Sequence, residues 1–140
     1  MKKLTFGCLL FCLATVCFGQ QQDALCPRHI ETPTYPPIAR AAFVSGKITL
    51  TITIDADGTV KHVEAAADNP DAKMLQKFAA ENLRHWTFAK PPSAPYTEVV
   101  VYDYEIDPAP PVAGATPITK VTFDLPDRVT IWTNQLPINI

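Results

Sequence analysis

The chain has 140 residues, 47% of them hydrophobic and 19% charged, with 14 Pro and 5 Gly. That length suits one small globular domain and leaves no room for two sizeable cores, which excludes most multidomain enzymes. The formal charge is −2 and no Lys/Arg cluster exceeds two residues, so the basic footprint that a phosphate backbone requires is missing and nucleic acid is excluded as a partner.

Met1-Lys2-Lys3 is followed by an apolar run from Leu4 to Phe18, and Gly19 precedes Gln20-Gln21-Gln22. A basic start, an apolar stretch and a small residue at its end predict a signal peptide over residues 1–19, cleaved after Gly19. As a helix the run spans about 22 Å, short of the roughly 30 Å of a bilayer core; an uncleaved membrane anchor is the second reading. Lipidation at Cys17 is disfavoured by the β-branched Val16 before it. Removal of the leader leaves 10 basic against 14 acidic residues, a mildly acidic chain, and takes Cys8, Cys12 and Cys17 with it. The remaining Cys26 cannot staple the fold alone, so stability must come from a packed core.

Residues 20–34 are polar, aperiodic and interrupted by Pro27 and Pro33, and read as an extended arm. Tyr35-Pro36-Pro37-Ile38-Ala39-Arg40-Ala41-Ala42 places prolines where a first helical turn tolerates them and predicts a two-turn helix, with Ile38 and Ala41/Ala42 available to pack. After Gly46, Ile48, Leu50, Ile52 and Ile54 alternate with Thr49, Thr51, Thr53 and Asp55, the period of a strand buried on one side. Asp55-Ala56-Asp57-Gly58 supplies turn chemistry, and residues 59–65 return as the second strand of a hairpin. The Val60/Val63 spacing breaks alternation and predicts a bulge there.

Asp68-Asn69-Pro70-Asp71 reads as a helix start. An amphipathic helix over about 70–85 follows, with Leu75, Phe78, Ala79, Leu83 and Trp86 on its apolar stripe. Pro91, Pro92 and Pro95 force a loop, after which Tyr96–Ile106 is the longest strand. Val100, Tyr102, Tyr104 and Ile106 share one face of it, and Val99, Val101, Asp103 and Glu105 the other. A Pro/Ala/Gly linker over 107–117 leads to a last hairpin, built from residues 118–125 and 128–133 around Pro126-Asp127. The expected fold is α+β: a small antiparallel sheet with two helices packed on one face, plus a C-terminal hairpin extension over 118–140.

Chemistry-bearing patterns are sparse. Cys26-Pro27-Arg28-His29 has ligand-like spacing, but one pair is not a metal site, and His62 and His85 lack local partners. Asp55-Ala56-Asp57-Gly58 opens like a calcium loop, yet Thr59-Val60-Lys61 supplies none of the later ligands. Cys26/His29 is also the one Cys/His pair close in sequence, and the arm offers it no rigid support or oxyanion hole. No catalytic residue, metal ligand or cofactor motif is assigned; a small metal-binding or hydrolytic protein using Cys26, His29, His62 and His85 is the reading from another class. What remains is surface chemistry. The long strand 96–106 would present unpaired backbone groups and could take another chain's strand by β-augmentation, unless the terminal hairpin, at residues 118–125, already occupies its edge.

Tyr35-Pro36-Pro37-Ile38-Ala39-Arg40, Gly46, the strand 48–54, Asp55-Ala56-Asp57-Gly58-Thr59-Val60, Arg84-His85-Trp86-Thr87-Phe88 and Pro91 occur in an order and spacing that resembles the C-terminal domain of TonB, the energy transducer of Gram-negative envelopes. The resemblance covers residues 35 to about 106. It implies a periplasmic domain of two short helices on a three-stranded antiparallel sheet, whose last strand pairs with an extended segment of an outer-membrane transporter, the TonB box. On this chain that strand is 96–106, which would make the backbone of Val99, Val101, Asp103 and Glu105 partner-facing. The resemblance also gives Tyr35, Pro36, Arg40, Gly46, Asp57, Gly58, Trp86 and Phe88 structural duties: a packing anchor at Tyr35, a close approach at Gly46, a positive-φ turn at Gly58 and a core plug at Trp86. A full transducer has a transmembrane helix and a long proline-rich spacer, whereas about 15 residues here reach roughly 50 Å at full stretch. The expectation is therefore a periplasmic, non-catalytic interaction domain that binds an envelope protein, an outer-membrane transporter or a copy of itself; the alternative is a membrane-anchored energy transducer.

Overall fold

The computed structural model describes residues 25–137; the expected leader and residues 20–24 of the arm lie outside them. In chain order the elements are β1 (Pro27–His29), α1 (Pro37–Ala41), β2 (Gly46–Ile54), β3 (Val60–Ala67), α2 (Lys73–Arg84), β4 (Thr87–Phe88), β5 (Tyr96–Ile106), β6 (Thr119–Asp124) and β7 (Arg128–Thr133). The class is α+β, with a five-stranded sheet in the order β3-β2-β5-β7-β6 and a two-stranded ribbon, β1-β4.

Alternation in β2 buries Ile48, Leu50, Ile52 and Ile54. The paired residues of β5, Tyr102, Val100, Glu98 and Tyr96, sit on the same face because directly opposite residues share a side. At the β2/β3 turn, Asp57 Oδ1 accepts bonds from both the N–H and the hydroxyl of Thr59, which holds the Asp57 carboxyl below its ordinary range. The expected bulge is present: Thr53 faces His62 but Ile54 faces Val60, leaving Lys61 as the extra residue of β3.

α2 begins three residues later than the periodicity suggests. Asn69 Oδ1 accepts the Ala72 N–H at 2.9 Å, so Pro70-Asp71 form an Asx-closed turn before the first helical residue. The helix buries Leu75, Ala79, Ala80 and Leu83. Phe78, expected on this stripe, is instead 38% exposed. α1 likewise turns differently from expectation: Ala39 is the buried residue, one turn beyond the buried Tyr35, and Ile38 is 59% exposed. Ala39, the inner residues of α2, Trp86 and the inward faces of β2, β5 and β7 form one core cluster. Burying each large side chain there contributes about 1.5–3 kcal/mol.

The arm is docked rather than loose. β1 pairs with β4, Ala89 N–H donates to the Cys26 carbonyl at 3.0 Å, and Asn82 Nδ2 and Trp86 Nε1 both donate to the Glu31 carbonyl.

The last hairpin changes the sheet. β5 leads into the connection 107–118; β6 then runs one strand's width away, and β7 returns to fill the gap, parallel to β5 in the register Val101↔Arg128 to Ile106↔Thr133. The three-stranded antiparallel sheet expected from the resemblance is thus enlarged to five strands and is mixed. The strand against β5 is the second of the hairpin, not the first.

Candidate functional site

Four residues were expected to offer a free backbone edge: Val99, Val101, Asp103 and Glu105. Val101 N–H donates to the Asp127 carbonyl at 2.7 Å and Asp107 N–H to the Thr133 carbonyl at 2.8 Å. Backbone groups of one strand point to alternate sides at every second residue, so Asp103 and Glu105 share this direction and face β7 along the paired register. The edge at Val101, Asp103 and Glu105 is therefore occupied from within the chain. Val99 lies before the first β5/β7 pair, and its side chain is 47% exposed. The side chains of Asp103 and Glu105 line a cleft of about 400 Å³ with Lys47, Asp68 and Trp132.

The hairpin is held by the core and by α1. Val129, Ile131 and Thr133 are fully buried. Arg40 Nε donates to Thr133 Oγ1 at 2.8 Å, and Arg40 Nη2 to Thr119 Oγ1 at 3.3 Å. Asn134 accepts the Ile118 N–H and donates to the Thr116 carbonyl, and Gln135 donates to the Asp107 carbonyl. Both ends of the connection 107–118 are tied to the end of β7.

With β7 in the gap, the sheet among the described residues ends at β3 on one side and β6 on the other. Their edges differ. β3 carries the Lys61 bulge and the exposed His62 and Glu64, whose side chains approach to 3.6 Å; bulges and charges of this kind blunt an edge. β6 pairs with β7 without a break over six residues. Because Asp127 and Thr133 face β5, the residues between them in alternation, Arg128, Thr130 and Trp132, face β6 through Asp124, Thr122 and Lys120. The N–H and C=O groups of Val121 and Phe123 therefore point outward, away from the sheet. Both side chains are partly buried against the core, and Ile118 and Leu125, at the two ends of β6, are exposed.

The remaining expected residues hold the frame. Tyr35 donates its hydroxyl to the Val44 carbonyl and meets Tyr104 edge to face; burial pushes the Tyr35 hydroxyl far above its ordinary pKa. Pro36 precedes α1 in an extended conformation. Gly46 lies against Ala72, Asn69 and Asp68, each 2.8 Å from where a Cβ would stand. Gly58 has φ +91° and its carbonyl accepts the Phe88 N–H at 2.8 Å. Trp86 and Phe88 are buried against one another at 6.2 Å.

Two residues with polar duties in the core escaped the sequence reading. Asn82 Oδ1 accepts both the Tyr102 hydroxyl, at 2.6 Å, and Trp86 Nε1, at 3.2 Å, joining α2, β5 and the arm. Its only signal was a place beside the apolar stripe. Glu98 lies on the inward face of β5, two residues before Val100, where period two puts it. It is 8% exposed; one oxygen accepts the Leu25 N–H at 3.1 Å and the other has no partner among the described residues. Burial, with Asp127 adding to it, raises its pKa to about 7 against the opposing Leu25 bond.

The groups of the metal or hydrolase reading are not gathered. Cys26 is exposed beside the ribbon, His29 pairs in β1 with Thr87, His62 stands on the open face of β3, and His85 pairs with Glu31 at the end of α2. Among the described residues no group of three or more His, Cys, Asp or Glu could hold a metal ion. No described helix is long and apolar enough to cross a membrane.

Comparison with protein families decides the relationship. The family described as "Gram-negative bacterial TonB protein C-terminal" matches residues 31–106, more than half of the chain. The chain belongs to the TonB C-terminal family. No curated protein matches it closely enough to count as a relative. The match takes in the docked arm from Glu31 and stops at the end of β5, so the β6/β7 hairpin lies beyond the family region. The TonB C-terminal family is one of envelope protein-interaction domains, and this chain is an envelope interaction domain of that kind.

Proposed function

We propose that this protein is a non-catalytic periplasmic interaction domain, exported by its leader, that takes up a strand of an envelope protein, an outer-membrane transporter or a second copy of itself along its sheet, and that the receiving edge is β6. The TonB family relationship supports an envelope partner, with an outer-membrane transporter as the class the family suggests. The observation that carries the choice of edge is the parallel pairing of β7 along Val101–Ile106. A partner strand taking β5 would have to expel β7 and uncover Val129 and Ile131, a cost of roughly 3–6 kcal/mol before its own side chains refill the space. Addition to β6 displaces no strand among the described residues. The backbone groups of Val121 and Phe123 give affinity, and the alternating side chains of β6 give choice.

The test is site-specific photo-crosslinking in Gram-negative cells. A reactive group at Val121 is expected to mark an extended segment of an envelope chain, and the same group at Lys77 on the outer side of α2 is expected to mark none. Adducts formed from Lys77 and not from Val121, or formed only with cytoplasmic proteins, would refute the reading.

A further inference from the structure

We infer that the chain which fills the β6 edge is a second copy of this protein, paired β6 to β6 antiparallel about a twofold axis through Thr122. This rests on the strand-addition reading and names the partner. The outward-facing residues of β6 are the odd ones, Val121 and Phe123, so only registers that set odd opposite odd let the two ladders bond. Four such self-pairings keep half of the strand or more in contact; an axis at Phe123 sets Thr122 against Asp124 and leaves Lys120 beyond the paired stretch. An axis at Lys120 sets the two ammonium groups against each other, and an axis at Val121 sets Lys120 against Thr122. The axis at Thr122 sets Lys120 of each copy opposite Asp124 of the other, twice.

The same register matches every other property of the edge. Val121 meets Phe123 of the other copy as a hydrogen-bonded pair, and the reciprocal pair makes four backbone bonds in all. Their side chains lie on the core face, where both are only partly covered at present. The Lys120/Asp124 pairs fall at non-hydrogen-bonded positions, where opposed side chains are closest. Each then continues a row of alternating groups across the open face. Asp124 already lies opposite Arg128 within its own sheet, and Lys120 sits 4.9 Å from the centre of the Trp132 ring. The row would read Arg128, Asp124, then Lys120 and Trp132 of the second copy. A lone lysine on an edge strand guards it against indiscriminate pairing; a carboxylate four residues on selects the one register that neutralises it. C₂ self-complementarity of this kind closes at two copies and leaves no further edge to propagate through β6.

The experiment is sedimentation of protein purified from cells expressing the full-length sequence, across a concentration series. The wild type is expected to dimerise. Lys120→Asp and Asp124→Lys, each alone, place like charges opposite at both pairs and should raise the dissociation constant about tenfold or more. An equal mixture of these two variants restores both opposite-charge pairs and should form a heterodimer of near wild-type affinity. Circular dichroism establishes that each variant is folded. A Val121→Pro variant removes an outward N–H and leaves the β7 bonds intact, and should be monomeric. A wild type that stays monomeric, or single variants that dimerise as well as it does, would overturn the inference. A monomeric protein that still crosslinks through Val121 to a different envelope chain would overturn it and leave the strand-addition reading standing.

Discussion

Glu98 sits on the inward face of β5 with one oxygen bonded to the Leu25 N–H and the other without a partner among the described residues, and burial raises its pKa from 4.5 to about 7. A carboxyl whose folded pKa is raised stabilises the fold fully below its unfolded pKa and loses that contribution as pH climbs through the folded one. Stability attributable to Glu98 should therefore fall between about pH 4.5 and pH 7. Glu98→Gln keeps the shape and removes the titration. Denaturant unfolding should find it more stable than the wild type at pH 8, by on the order of 2 kcal/mol, with the gap shrinking toward pH 5; an equal gap at both pH values would contradict this origin. Gly58 offers a second check. A Cβ there would stand 2.1 Å from the Phe88 carbonyl oxygen, at φ +91°, so Gly58→Ala should cost roughly 1–3 kcal/mol in the same measurement. The turn glycine was readable from Asp55-Ala56-Asp57-Gly58. Its contact with Phe88, 30 positions away in sequence, was not, because turn chemistry is local and the clash is tertiary.

Arg40 shows how the elements are bound together. It stands in the Tyr-Pro-x-x-Ala-Arg stretch that opens the family region, yet its guanidinium spans Thr133 on β7 and Thr119 on β6. Arg40→Ala should leave the β2/β3/β5 sheet folded and loosen the hairpin by about 1 kcal/mol; amides of β7 should then exchange faster while those of β2 do not. The existence of β2, β5 and α2 was legible in the sequence because period two in the strands and the apolar stripe of the helix report burial directly, whereas the short strands β1 and β4 carry no such period. The two misplaced helix side chains have one cause. Phe78 and Ile38 are apolar at plausible helical positions, but which residues face inward depends on where the helix starts and how its axis lies, and Asn69 and Tyr35 set those for α2 and α1. Lateral order in the sheet was not legible either. Periodicity tells which side of a strand is buried and carries nothing about which strand lies beside it, so the choice between a free β5 edge and a covered one had to come from the fold.

At the scale of the whole molecule, the TonB-type unit over residues 31–106 carries an added hairpin that moves its open edge outward by two strands. The unit keeps its frame residues, Tyr35, Gly46, Gly58 and Trp86, and the hairpin adds Val129 and Ile131 to the same core. On the proposed reading, an interaction domain so extended meets its partner through side chains that belong to the hairpin, Lys120 and Asp124 among them, and not through the β5 residues expected at first. The most direct measurement of this account is residue-resolved amide exchange in the dilute, folded protein. The N–H groups of Val101, Asp103 and Glu105 should be as protected as those of the interior strand β2. Those of Val121 and Phe123 should exchange rapidly when dilute and slow down as concentration rises. Rapid exchange at Val101, Asp103 and Glu105 in a protein whose β2 amides stay protected would show an open β5 edge and contradict it.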